Sequence, residues 1–158
     1  MIQKESKLNR IHLLQLLLYA PGPTGKENEP IKGKTRLQKE MFLIEAELRG
    51  YGISKPHSFR PYIHGPFSKE LYNDVYWLEF EKVIEEKPYH YDDGGFYYEF
   101  RLTPKGIQEV EILLQDPNLK TAYEIIKTIK RKYNQMNLQY LVRTIHEMYP
   151  TYVQPYYY

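Results

Sequence analysis

Cysteine is absent from the 158 residues. Its absence removes disulfide frameworks, Cys-bearing zinc sites, thiol nucleophiles and Cys-ligated iron–sulfur clusters together, and fits an intracellular, cytoplasmic protein. Long hydrophobic runs are also missing. The longest, Leu13 to Ala20, is broken by Gln15 and falls well short of the roughly 20 residues needed to span a bilayer. Net charge is nearly absent too, with 22 Lys+Arg against 20 Asp+Glu, so the overall balance marks neither a strongly basic nucleic-acid binder nor an acidic tail. Lys4, Lys7 and Arg10 ahead of Ile11–Ala20 imitate a signal peptide. His12 and Gln15 interrupt the apolar part, Pro21 follows it, and no A-x-A site appears, so secretion is not expected.

Tyrosine is what the chain has in excess: 17, against 6 Phe and 1 Trp. An apolar body with a polar tip serves equally in a core or on a binding surface. One compact domain is expected from the length.

Glu5 to Tyr19 predicts a helix that is apolar on most sides and must be covered on most sides, by the fold or by an oligomer partner. The Pro/Gly-rich stretch after it predicts a loop. A second helix is expected from Thr35, with Thr35 and Gln38 at capping-box spacing and Gly50 or Gly52 as a left-handed C-cap. Pro56 and Pro61 hold His57 to His64 extended. Ser68 is a good N-cap for a third helix, with Leu71, Val75 and Leu78 inward and Lys69, Asn73 and Asp74 elsewhere. Val83–Tyr91 and Phe96–Leu102 flank Asp92-Asp93-Gly94-Gly95 as a β-hairpin. Thr103-Pro104 opens a fourth helix, Asn118 caps a fifth, and Leu138 to Tyr149 forms a sixth that ends at Pro150. This order predicts an α+β, mainly α fold: a winged helix-turn-helix domain over residues 1–116 with a β-hairpin wing. A helical C-terminal extension over residues 117–158 packs on the same domain and offers a homodimer interface.

Catalytic and metal signatures fail individually. Gly33-Lys34-Thr35 ends like a phosphate-binding loop but lacks the earlier glycine, since position 28 is Asn, and the preceding strand is missing as well. The five histidines contain no i,i+3 or i,i+4 pair such as metal-binding helices use. Ser68, His64 and Asp74 could be drawn as a trio, yet Ser68 is already explained as a cap. No enzyme activity, metal or cofactor is expected.

Charge is distributed unevenly. Residues 1–41 hold 8 basic against 4 acidic side chains, residues 81–116 hold 4 against 9, and residues 117–158 hold 6 against 2. The third helix and hairpin, which a winged helix presents to DNA, are therefore acidic. Phosphate contact is expected instead from Lys32, Lys34, Arg36 and Lys39, and from a second cluster of Lys127, Lys130, Arg131 and Lys132. Lys69, Tyr72 and Asn73 are the exposed candidates on the third helix for base edges. Tyr89, Tyr91, Tyr97 and Tyr98 crowd the hairpin. Packed, they would stiffen a small sheet; exposed, they would suit a protein partner. Tyr156-Tyr157-Tyr158 ends the chain.

Four segments carry a resemblance. Gly33-Lys34-Thr35-Arg36-Leu37-Gln38-Lys39, Tyr62-Ile63-His64-Gly65-Pro66-Phe67-Ser68-Lys69-Glu70-Leu71, Phe100-Arg101-Leu102-Thr103-Pro104-Lys105-Gly106 and Tyr140-Leu141 through Tyr149-Pro150-Thr151-Tyr152 together resemble uncharacterised archaeal and bacterial winged-helix proteins. The first two are also similar, more distantly, to the Panacea domain of SocA-like antitoxins. The first resemblance implies a DNA-binding transcriptional regulator. The second implies a module whose partner is another protein, such as a toxin.

Overall fold

A computed structural model describes residues 8–154. The outer tyrosines Tyr156 to Tyr158 and the start of the first expected helix, Glu5 to Lys7, lie outside those residues. The described chain is a mixed α+β fold, mainly helical. None of its helices is long and apolar enough to cross a membrane.

The first helix begins later than its apolar pattern suggests. Leu8–Asn9 forms a two-residue strand, β1, paired in parallel with β3 (Ile53–Ser54). The side chain of Asn9 then accepts a hydrogen bond from Ile11 N and caps α1 (Arg10–Tyr19). Seven consecutive side chains from Leu13 to Tyr19 are buried, so the helix without a polar face is the centre of the core. It is enclosed by α4 (Pro104–Leu113), α5 (Lys120–Tyr133) and the hairpin strand β7 (Phe96–Leu102), and α2 (Lys34–Leu48) packs on α5. Leu119 at the end of a short 3-10 turn, Ala122, Ile126 and Ile129 from α5, and Leu141 and Ile145 from α6 (Leu138–Met148) add to this same core.

The hairpin of β6 (Ile84–His90) and β7 turns at residues 91–95 in full register from Ile84↔Leu102 to His90↔Phe96. A short strand β2 (Ile31–Lys32), which nothing local foretells, pairs with β7 and makes a three-stranded sheet. Its inner end buries Ile31, Ile84, Phe100 and Leu102, whereas its far end stands in solvent. Pro61 and Pro66 face each other in a second small hairpin, β4 (Arg60–Tyr62) with β5 (Gly65–Phe67). It leads into α3 (Lys69–Phe80).

Several caps fall where the residue types place them. Ser68 Oγ accepts from Leu71 N, Thr103 Oγ1 accepts from Gly106 N with Pro104 at the first helical position, and Gly52 is left-handed at φ 76°. Two do not. Thr35 caps nothing, because α2 starts from Gly33 at φ 88° without a side-chain cap. Near Asn118 the cap is Asp116, whose carboxylate accepts from Asn118 N ahead of a short 3-10 turn.

Candidate interaction surface

The two motifs at Gly33–Lys39 and Tyr62–Leu71 meet in space. Gln38 Nε2 donates to Ser68 O and Gln38 Oε1 accepts from Ser68 N, both at 2.8 Å. The side chain expected to close a capping box on its own helix instead clamps the start of α3. Lys39 Nζ donates to Pro66 O at 3.0 Å, and its Cε lies 3.4 Å from where a Cβ on Gly65 would stand. Gly65 has φ 96°, a conformation that favours glycine. Arg36 Nη1 donates to Tyr133 O, tying α2 to the end of α5.

This geometry corrects the expected phosphate contacts. Arg36 and Lys39 are buried, 7% and 2% exposed, with their donors on backbone carbonyls. Burial pushes the Lys39 ammonium down to about 8. In the second cluster Lys130 is fully enclosed, donating to Leu17 O and Leu18 O at the end of α1. Only groups that reach solvent can meet a phosphate. Lys32, Lys34 and Lys69 do reach it. Lys32 Nζ sits over the Tyr97 ring at 5.5 Å and Lys34 Nζ over Tyr72 at 5.6 Å.

Buried charge is concentrated around α2. The Glu40 carboxylate is fully buried, and neither of its oxygens has a hydrogen-bond partner among the described residues. Burial pushes its pKa up to about 8 despite nearby Lys130 and Arg36. His57 is buried between two carboxylates, with Nδ1 2.6 Å from Glu45 Oε2 and Nε2 2.6 Å from Asp74 Oδ2. Carboxylate oxygens accept hydrogen bonds, so two such contacts need a proton on each ring nitrogen or on a carboxyl. Burial opposes the charged ring, yet the hydrogen bonds from Asp74 and Glu45 prevail and the His57 pKa is raised. Arg10 completes the chain through Nε to Asp74 Oδ2 at 2.9 Å. Asp74, expected to point away from the core, is thus a buried link joining α1, α3 and the segment before β4.

The outer face of α3 is different. Lys69, Asn73, Tyr76, Trp77 and Phe80 lie along it at helical spacing. Tyr76, Trp77 and Phe80 are 73%, 56% and 69% exposed, and the last two rings stack at 6.0 Å. Tyr72 is half-buried against Phe67 and Lys34. Along its sheet-facing edge α3 meets β6 across a cavity of about 300 Å³ that includes Tyr72, Asn73, Glu79 and Glu86.

The hairpin tyrosines divide by strand parity. Tyr89 and Tyr97 are cross-strand partners stacked at 5.8 Å, with Tyr91 packed on Tyr97 at 4.7 Å. Arg101 donates to the Tyr89 hydroxyl at 2.7 Å and pairs with Glu99. Tyr98 is on the opposite face, edge-on to exposed Phe96 at 5.6 Å. Neither a protein-family model nor a curated protein matches the chain.

Phe80 and the His57 network escape sequence reasoning. Phe80 closes the exposed stripe that Tyr76 and Trp77 begin on α3. His57 is 12 residues from Glu45 and 17 from Asp74, so no local spacing brings the three together.

Proposed function

We propose that the chain is a winged helix-turn-helix module that acts by binding a partner protein, with the outer face of α3 as the contact surface. The observation that carries this reading is the exposure of Tyr76, Trp77 and Phe80 on one face of one helix. Clustered aromatics flanked by polar groups are a signature of protein interfaces, where they act as anchors. The element order, with α2 and α3 followed by the β6–β7 hairpin and α4, supports the winged-helix architecture. Carboxylates of Glu79 and Glu86 beside the aromatics suit a partner segment that is apolar and basic. A protein partner is also what the Panacea resemblance implies. Co-purification at native abundance tests the reading. A partner retained by the wild type and lost from the Tyr76→Ala/Trp77→Ala/Phe80→Ala variant supports it; undiminished retention by that variant overturns it.

A second reading, a DNA-binding transcriptional regulator, draws support from Lys32, Lys34, Lys69 and Asn73, which are solvent-exposed at the base of the hairpin and on α3. It predicts binding of mixed duplex DNA in fluorescence anisotropy that weakens steeply with salt and is lost on Lys32→Ala/Lys34→Ala. No binding at low salt removes this reading.

A further inference from the structure

The cavity between α3 and β6 holds an arrangement that its own side chains leave unfinished. Its walls are Tyr72 and Tyr76 from α3 and Phe100 from β7, with Lys34 at the start of α2 on the rim. Glu79 from α3 and Glu86 from β6 project into it close enough for their carboxyls to hydrogen-bond to each other. Two carboxyls can do this only by sharing a proton, since neither ionised group donates. Glu79 Oε1 has no hydrogen-bond partner among the described residues. Lys34 stabilises the ionised form only in part: burial, then Glu86, push the Glu79 carboxyl up to about 8. Lys34 itself is drawn over the Tyr72 ring.

Paired acids between aromatic walls complement a planar or compact cation. Such a cation satisfies both carboxylates at once and meets ring faces on its flanks. On the same helix, exposed Trp77 and Phe80 offer apolar contact. We infer that this cleft takes an arginine or lysine side chain of a partner protein, next to an apolar residue that covers Trp77 and Phe80. The inference rests on the protein-binding reading above and names the chemistry of that partner. Guanidinium or ammonium entering the cleft takes the place of the shared proton, which leaves to solvent as the pair becomes doubly ionised. The other titratable groups lining the cleft are Lys34 from α2, Tyr72 and Tyr76 from α3, and Glu86 from β6; Phe100 is apolar.

The experiment uses the full ¹⁵N-labelled chain and N-acetyl-arginine amide as probe, followed by amide chemical shifts. Perturbations confined to Lys34, Tyr76, Glu79 and Glu86 are expected. Because binding expels one proton, affinity should fall by up to about tenfold for each pH unit below 8. Glu79→Gln/Glu86→Gln should abolish the response while the rest of the spectrum keeps its dispersion, and Glu86→Gln alone should move the pH dependence to lower pH, because burial still raises Glu79. N-acetyl-glutamine amide should give nothing. Shifts scattered over other acidic surfaces, an unchanged response in the double variant, or affinity independent of pH would overturn the inference. Its failure is separable from failure of the protein-binding reading. A partner that needs Tyr76, Trp77 and Phe80 but is indifferent to Glu79→Gln/Glu86→Gln rejects the cation site alone. A cleft that binds the probe in a chain whose partner ignores the aromatic face rejects the interface alone.

Discussion

Helices α2 and α3 depart from the usual inside-out rule in opposite directions. Four charged side chains of α2, Arg36, Lys39, Glu40 and Glu45, are buried, whereas α3 leaves Tyr76, Trp77 and Phe80 in solvent. Buried ions cost free energy unless partnered, and exposed aromatics forgo the burial that would stabilise them. On α2, three of the four ions are partnered: Arg36 and Lys39 end on carbonyls and Glu45 on His57. Their role is to fasten distant segments to α2. The exposed rings of α3, Tyr76, Trp77 and Phe80, form no aromatic pair among the described residues beyond the Trp77–Phe80 stack. Charge on α2 therefore belongs to the fold, and apolar surface on α3 is free for use.

The contrast is broken most severely at His57, the bridge between α2's Glu45 and α3's Asp74. His57→Ala leaves two buried carboxylates without the group between them, and unfolding by urea at pH 7 should show a loss of about 3–5 kcal/mol. A loss under 1 kcal/mol would mean that the bridge contributes little. Wild-type stability should also depend on pH. Below the ordinary histidine value of 6.5, the ring is protonated in both folded and unfolded chains and the bridge is complete. As pH rises from there through the raised native value, the native state holds a proton that the unfolded state has released, so stability declines. His57→Ala should lack that part of the decline.

Glu40 is the α2 ion without a hydrogen-bond partner, and Glu40→Gln tests whether its charge is tolerated or useful. Burial raises its pKa from 4.5 to about 8. Across that window the folded chain keeps a proton that the unfolded chain gives up, and stability falls as pH rises, by up to about 1.4 kcal/mol per unit. The glutamine variant has no proton to keep. It should match the wild type near pH 4 and become progressively more stable than it toward pH 8, measured as urea midpoints. Lys130 also titrates near 8, from a lowered value, and so affects the profile chiefly above this window. A constant difference between the two proteins at every pH would show that Glu40 is already ionised when buried.

Lys39→Met addresses the phosphate reading. Methionine keeps the buried stem and removes an ammonium that burial disfavours, but strands Pro66 O, so the net change should be about 1 kcal/mol or less. Binding to duplex DNA, if present, should be unaffected, since a group 2% exposed makes no phosphate contact. A reduced salt slope in Lys39→Met would place Lys39 at the surface in the bound state.

Much of the fold was legible, and the reasons are local. The hairpin follows from turn chemistry at Asp92–Gly95, α4 from Thr103-Pro104, and the start of α3 from Ser68. The centrality of α1 followed from an apolar pattern that left no polar face. Strands β1 and β2 were not legible, because two residues carry no periodicity and depend on partners at Ile53 and Phe100. The candidate site was legible in composition and misread in placement. Lys32, Lys34, Arg36 and Lys39 form a basic run in sequence, but α2 is covered by α5, α6 and β5, so Arg36 and Lys39 turn inward while Lys32 and Lys34 stay in solvent. Asp74 reads as a surface residue until His57 and Arg10 arrive from elsewhere in the chain.

The smallest expected effect on stability sharpens the contrast most. Tyr76→Ala, Trp77→Ala and Phe80→Ala each remove a large ring, and in a core such a change costs about 3–5 kcal/mol. At 73%, 56% and 69% exposure, each should instead shift stability by no more than about 0.5 kcal/mol. The Trp77–Phe80 stack adds a coupling that a double-mutant cycle would read as about 0.5 kcal/mol or less, since each single variant already loses the stack. Loss of partner retention without loss of stability separates a contact surface from a structural one. If instead Trp77→Ala unfolds the chain with a core-like cost, the outer face of α3 is holding up the fold, and the division of labour between α2 and α3 is wrong.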